Sequence, residues 1–259
     1  MLRAESVAFG YDGGFTLADA SVAIPAGSLT GLLGPNGCGK TTLLKLLCGV
    51  LRPRIGRVTL NDRVLSSMTR RELARHVAVV PQETHPAFDY TVMEMVLMGR
   101  HPHLSAFELE GPADLEIARQ ALDATGTHHL AERKYMTLSG GEKQRVVIAS
   151  ALTQSTEVLL LDEPTASLDL RYQLDVASLL ARLNRDRHVT MVLATHDLNL
   201  AASLCERLIV MRDGRILTAG PTHEVLTRET VKQLYDVDAD VQLHERAGHL
   251  TVVPVRRMS

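Results

Sequence analysis

The 259-residue chain carries 28 Lys+Arg against 30 Asp+Glu, a formal net charge of −2, and 45% of its residues are hydrophobic. That balance excludes a disordered chain and a dedicated nucleic-acid binder, and the length allows one or two domains with a sizeable core. Nine aromatic residues, five Tyr and four Phe with no Trp, leave little for base-stacking platforms.

The N-terminus, Met1-Leu2-Arg3-Ala4-Glu5, lacks the apolar run of a signal peptide. Leu2 to Phe9 reads as a strand, and the turn signals Asp12-Gly13-Gly14 and Pro25-Ala26-Gly27 punctuate the first 30 residues. The longest uncharged stretch, Ala20 to Gly39, holds five glycines and two prolines, so it does not form a spanning helix. Ser28 to Leu33 is a short apolar strand, and Thr41 to Val50 reads as a buried helix. Thr69-Arg70-Arg71-Glu72 and Thr91-Val92-Met93-Glu94 are capping boxes that start helices. Val77 to Val80 between them is a buried strand. Residues 88–150 have helical periodicity and no strand-like run, including Asp114 to Thr125 with Leu115, Ile117, Ala118, Ala121 and Leu122 apolar. Val158 to Leu161 and Val189 to Ala194 are continuous apolar runs of the kind found in parallel strands covered on both faces. A helical stretch at about 170–185 separates them, the alternation of an α/β fold. Arg212-Asp213-Gly214-Arg215 is a hairpin signal, and the tail from Thr222 reads as two short helices and a strand pair. Cys38, Cys48 and Cys205 are odd in number and scattered, which fits a reducing compartment rather than a disulfide framework. These features together predict a cytosolic protein.

Two stretches carry chemistry. Gly34-Pro35-Asn36-Gly37-Cys38-Gly39-Lys40-Thr41, followed by Thr42, fits G-x-x-x-x-G-K-[ST] between a strand and a helix. Its glycines let successive backbone N–H groups converge on phosphate oxygens, and the helix start adds its positive dipole end. Lys40 is expected to reach the β- and γ-phosphates and the Thr41 hydroxyl to bind Mg²⁺. Cys38 reads as a bystander. The second stretch is Val158-Leu159-Leu160-Leu161-Asp162-Glu163, a buried strand that ends in two acids, where ligands bind in open α/β sheets. Asp162 is expected to hold Mg²⁺, and Glu163 to act as general base on an attacking water. His101 with His103, and His128 with His129, invite a metal reading. Adjacent side chains on a helix diverge by about 100°, and no further ligand sits at metal spacing, so these read as surface histidines.

With Leu138-Ser139-Gly140-Gly141-Glu142-Lys143-Gln144-Arg145 in the same chain, the sequence resembles an ATP-binding cassette (ABC) transporter ATPase over essentially its whole length. Ser139 to Glu142 is itself a capping box whose N–H groups suit an anion. The resemblance implies a P-loop α/β fold with a mainly parallel core sheet, an N-terminal antiparallel β subdomain and a helical insertion. Residues 1–259 would form one ATPase domain. Its core would be 1–87 and 151–221, its helical subdomain 88–150, and its C-terminal helices and strands 222–259. It implies that ATP, with Mg²⁺ as cofactor, binds Tyr11 (stacked on adenine), Gly34 to Thr42, Asp169 and, across a homodimer, Ser139, Gly140, Gly141 and Glu142. Gln82 then looks like the Q-loop residue at Mg²⁺ or the water, Ser167-Leu168-Asp169 like the D-loop, and His196 like the switch histidine at the γ-phosphate. The catalytic set is Glu163, His196 and Gln82, and the metal set Thr41, Gln82 and Asp162.

Three further stretches are similar to the iron-chelate, haem and cobalamin importer branch: Met68 to Arg75, Val96 to His103, and the tail with Tyr235-Asp236-Val237 and Val252-Val253-Pro254. That branch implies a polytopic membrane permease as partner, with an extracytoplasmic substrate-binding protein acting indirectly and no nucleic acid. It implies a peripheral location on the cytoplasmic face of the membrane. Residues 83–107, with rings at Pro86, Phe88, Tyr90 and Phe107, would form the groove for the permease's coupling helix. The rival readings are a non-transport ABC ATPase, an importer subunit for another cargo, and a small-molecule kinase.

Overall fold

The computed structural model describes residues 1–105 and 107–257. They form two compact units, Met1–Met68 with Thr190–Ser259, and Thr69–Val189.

The first unit opens with β1 (Leu2–Gly10), β2 (Thr16–Ile24) and β3 (Leu29–Leu33). β1 and β2 pair antiparallel with Leu2 opposite Ile24. Period-two alternation buries Leu17, Ala20, Val22 and Ile24 of β2. The alternation slips once at Asp19, whose φ of 47° marks a bulge in the ladder. β3 is buried at all five positions. A loop leads from it into α1 (Lys40–Leu47). This helix stops at Leu47 rather than the expected Val50, because Gly49 turns left-handed at φ 68° and leaves Val50 exposed. β4 (Ile55–Leu60) then returns antiparallel to β1, and β5 (Arg63–Val64) pairs with it.

The second unit runs through α2 (Arg70–Ala74), β6 (Val77–Val80), α3 (Val92–Leu97), α4 (Pro112–Ala124), α5 (Gly140–Thr153), β7 (Val158–Asp162) and α6 (Leu170–Arg187). β6 and β7 pair parallel, Val77 opposite Val158. β7 is buried from Val158 to Leu161, but β6 departs from the buried strand its apolar run implied. It lies at a sheet edge and leaves Val79 exposed. Of the two boxes expected here, Thr91 and Glu94 close both hydrogen bonds, 3.2 Å from the Glu94 N–H and 2.6 Å from the Thr91 N–H. At Thr69 the hydroxyl accepts from the Glu72 N–H at 3.1 Å, and the helix it starts has only five residues. α3, α4 and α5 pack together and bury Val92, Val96, Ala118, Leu122, Val146 and Ile148. Each large aliphatic side chain among them contributes roughly 1.5–3 kcal/mol. Leu115 and Ile117 of α4 are only half-buried. The buried Arg100 ties this helical region together. Its guanidinium lies 2.8 Å from Asp114 and donates to the Thr153 carbonyl at 3.0 Å. His103 also departs from its surface reading: it is half-buried, with Nε2 2.8 Å from the Gln154 carbonyl.

The chain re-enters the first unit at β8 (Thr190–Thr195), followed by α7 (Leu198–Leu204), β9 (Arg207–Arg212) and β10 (Arg215–Pro221). β3 pairs parallel with β8 on one side and β9 on the other. The β9–β10 turn, Asp213 at φ 49° and Gly214 at φ 73°, has positive φ at both central residues, as a type I′ hairpin requires. The tail forms α8 (Thr222–Val225), α9 (Arg228–Tyr235) and the antiparallel pair β11 (Val237–His244) and β12 (His249–Arg257). Among the described residues, no helix is long and apolar enough to cross a membrane.

Candidate active site

In the first unit the loop Gly34 to Gly39 joins the carboxyl end of β3 to the start of α1. Gly39 stands at φ 109°, and a Cβ there would lie 2.4 Å from the Phe15 ring, so only glycine fits. No side chain caps α1 and no acid occupies its first turn. Its positive dipole end is therefore not answered by a carboxylate of its own. Lys40 is buried, and its ammonium donates to the carbonyls of Gly34 at 2.9 Å and Pro35 at 3.3 Å. The loop is braced from behind. The Gly214 N–H donates to the Cys38 carbonyl at 3.0 Å, and the Gly214 carbonyl accepts from Ala18 at 2.9 Å. Burial pushes the Cys38 thiol above its ordinary value against the pull of Lys40, so it stays protonated at neutral pH. Thr41 is exposed and Thr42 buried on the first turn of α1. Tyr11 lies just past β1, 43% exposed, with its ring edge-to-face on Phe9 at 5.0 Å. His196 follows β8 and is exposed.

The second unit holds the remaining sequence-derived residues. Gln82, Gly140 and Glu163 line one cavity of about 230 Å³ together with Thr84, Lys143 and Gln144. Ser139 starts α5 with a complete box. Its hydroxyl accepts from the Glu142 N–H at 3.4 Å, and Glu142 accepts from the Ser139 N–H at 2.8 Å. The Ser139 hydroxyl and N–H hold the Glu142 carboxyl below its ordinary range. This helix start already carries a negative charge of its own. Asp162 ends β7, half-buried, and Glu163 follows at φ 47°. A left-handed non-glycine residue costs roughly 1–2 kcal/mol, and such strain concentrates at functional positions. Asp169 caps α6 by accepting from the Tyr172 N–H at 3.3 Å.

An ABC transporter family model matches residues 17–166. The chain is 40% identical to the iron(3+)-hydroxamate import ATP-binding protein FhuC of Bacillus subtilis, over 95% of this chain and 92% of that one. It is 42% identical to the hemin import ATP-binding protein HmuV of Gloeobacter violaceus, over 98% and 94%. The chain belongs to the ABC transporter family. Its fold is similar to a putative metal-chelate type ABC transporter solved in an inward-facing conformation, with a TM-score of 0.87 and 32% identity over 98% of this chain and 97% of that one. The ABC cassette is an ATPase with a mainly parallel α/β core, as its sequence led one to expect.

Three supporting contacts of the cassette escaped the sequence reading, although Tyr235 itself stood in the tail stretch that resembles the importer branch. Tyr172 packs on the helix start of α5: a Cβ on Gly141 would lie 2.4 Å from its ring, which is why the second glycine is needed there. Gln173 donates to the carbonyls of Leu168 at 2.9 Å and Thr165 at 3.4 Å, bracing the segment after Glu163. Tyr235 donates its hydroxyl to the His196 carbonyl at 3.0 Å. Each contact joins residues with no periodic relation in sequence. The signals available were two tyrosines in a chain with few aromatics, and none marked Gln173.

Proposed function

We propose that this ABC ATPase energises import of an iron chelate, haem or cobalamin through a membrane permease, working as a homodimer on the cytoplasmic face. The observation that carries the reading is the phosphate loop: an uncapped helix start with a buried lysine at its mouth. Support for the cargo class comes from relatives that import iron(3+)-hydroxamate and hemin. Chain segments 1–259 act as one cassette in this reading.

Gly34 to Thr42 wrap the phosphates, and the Lys40 ammonium reaches the β- and γ-phosphate oxygens. Tyr11 offers a ring face to adenine. Glu163 accepts the proton of the attacking water, and His196 contacts the γ-phosphate. Gln82 orients the water, and Asp169 steadies the segment that follows Glu163. Ser139, Gly140, Gly141 and Glu142 close on the nucleotide held by the other copy. Thr41, Gln82 and Asp162 supply a hydroxyl, an amide and a carboxylate, the hard oxygen donors that suit Mg²⁺. These three residues would hold the ion, which when bound neutralises charge on the β- and γ-phosphates.

The groove at residues 83–107, whose Glu83, Thr84 and His85 line the cavity at Gln82 together with Gln144, takes the coupling helix of the permease. Gln144 Nε2 is buried there without a hydrogen-bond partner, a donor suited to a docked backbone carbonyl. Phe88 and Phe107 stand exposed in the same unit and suit a partner contact. The test is reconstitution with membrane permeases of the iron-chelate, haem and cobalamin importer class. ATP-dependent uptake of a ferric chelate, haem or cobalamin supports the reading. Uptake of an unrelated cargo, or ATP turnover indifferent to every permease, refutes it.

A further inference from the structure

The switch segment after β8 is held from two sides by the C-terminal tail, all within the first unit. From one side the Tyr235 hydroxyl, at the end of α9, donates to the His196 carbonyl at 3.0 Å. From the other, the side chain of Asn199 brackets Val252 of β12, accepting its N–H at 2.8 Å and donating to its carbonyl at 3.2 Å. Between them Asp197 caps α7, accepting from the N–H groups of Asn199 at 2.9 Å and Leu200 at 3.0 Å. The end of α9 is itself anchored. Arg212 at the close of β9 lies 2.8 Å from the Asp236 carboxylate and also donates to the Gln233 carbonyl. That pairing, through a hydrogen bond first and charge second, lowers the Asp236 carboxyl below its ordinary range. The direction of the hydroxyl bond matters. It fixes a backbone carbonyl of the histidine itself, and thereby the Cα–Cβ vector from which the imidazole projects.

We infer that Tyr235 is a positioning residue for hydrolysis: through the His196 carbonyl it sets the aim of the His196 ring, with the Asn199–Val252 clasp as its counterpart. This gives residues 235–252 a part in turnover in addition to packing. The inference rests on His196 contacting the γ-phosphate, as proposed above.

The experiment compares Tyr235→Phe, which keeps the ring and deletes only the hydroxyl, with Asn199→Ala and His196→Ala in the full-length protein. His196→Ala identifies the His196 side-chain resonance among the chain's 11 histidines and tests the underlying role. Wild-type turnover in that variant overturns the histidine reading, and the inference with it. With turnover lost in His196→Ala, Tyr235→Phe is expected to lower kcat about three- to tenfold, the effect of one hydrogen bond. Its KM for ATP and its melting temperature should stay close to wild type, and the His196 resonance alone should shift or broaden. Asn199→Ala is expected to move the same resonance. A Tyr235→Phe variant with wild-type kcat, or with an unmoved His196 resonance, overturns the inference and leaves the histidine reading intact.

Discussion

Two helix starts in this chain both suit an anion by sequence and differ in how they are capped. α1 begins at a left-handed glycine with no side-chain cap and no acid in its first turn. α5 begins at Ser139 with its box closed by the Glu142 carboxylate. The first leaves its dipole for an outside anion and adds a buried lysine. The second has part of its potential answered internally, so its pull on a phosphate is weaker. The contrast supports the proposal that each subunit holds its own nucleotide at α1 and meets another's only on closure at α5.

Lys40→Met should break the stronger start. It removes the cation together with its bonds to the Gly34 and Pro35 carbonyls, and nucleotide affinity should fall about 100-fold or more, the scale of two charge-assisted hydrogen bonds, as titration with a fluorescent nucleotide would measure. Ser139→Arg should break the weaker start differently. The isolated subunit should bind ATP with its normal affinity, while hydrolysis in the reconstituted transporter should be lost. Equal loss of binding in both variants would erase the distinction between the two helix starts.

The phosphate loop, the capping boxes and the hairpin were legible because each is encoded within a few residues. A loop that must bend backward needs glycine at fixed spacing, and a cap needs its acid three residues on. The extent of α1 was misjudged because Leu46 and Leu47 continue the apolar pattern while Gly49 ends it. Val79 was misjudged because an apolar run reports hydrophobicity and not which face is covered. The left-handed turn at Glu163, the ring of Tyr172 on Gly141 and the Tyr235 bond were illegible, since they depend on partners brought in by the tertiary fold.

Two smaller effects sharpen the comparison. Asp114→Asn should cost about 2–3 kcal/mol in chemical denaturation, because it leaves the buried Arg100 without its charge partner. It should do so without altering nucleotide affinity at α1. Glu142→Gln should cost about 0.5–1 kcal/mol, the range for a weakened cap. The Glu142 carboxyl is held low in the folded state, so its contribution is complete above the ordinary Glu range and is lost as pH falls through the lowered value. Wild type should therefore lose more stability than the variant between neutral pH and mild acid, and a pH series of melts would show the two curves converging.

The measurement that tests the account most directly is ATP turnover and size-exclusion behaviour of Glu163→Gln with ATP and Mg²⁺. The account predicts that ATP still binds, that turnover falls by about 100-fold or more with the general base removed, and that the nucleotide-bound subunits are trapped as a dimer. Near-normal hydrolysis by this variant would contradict it.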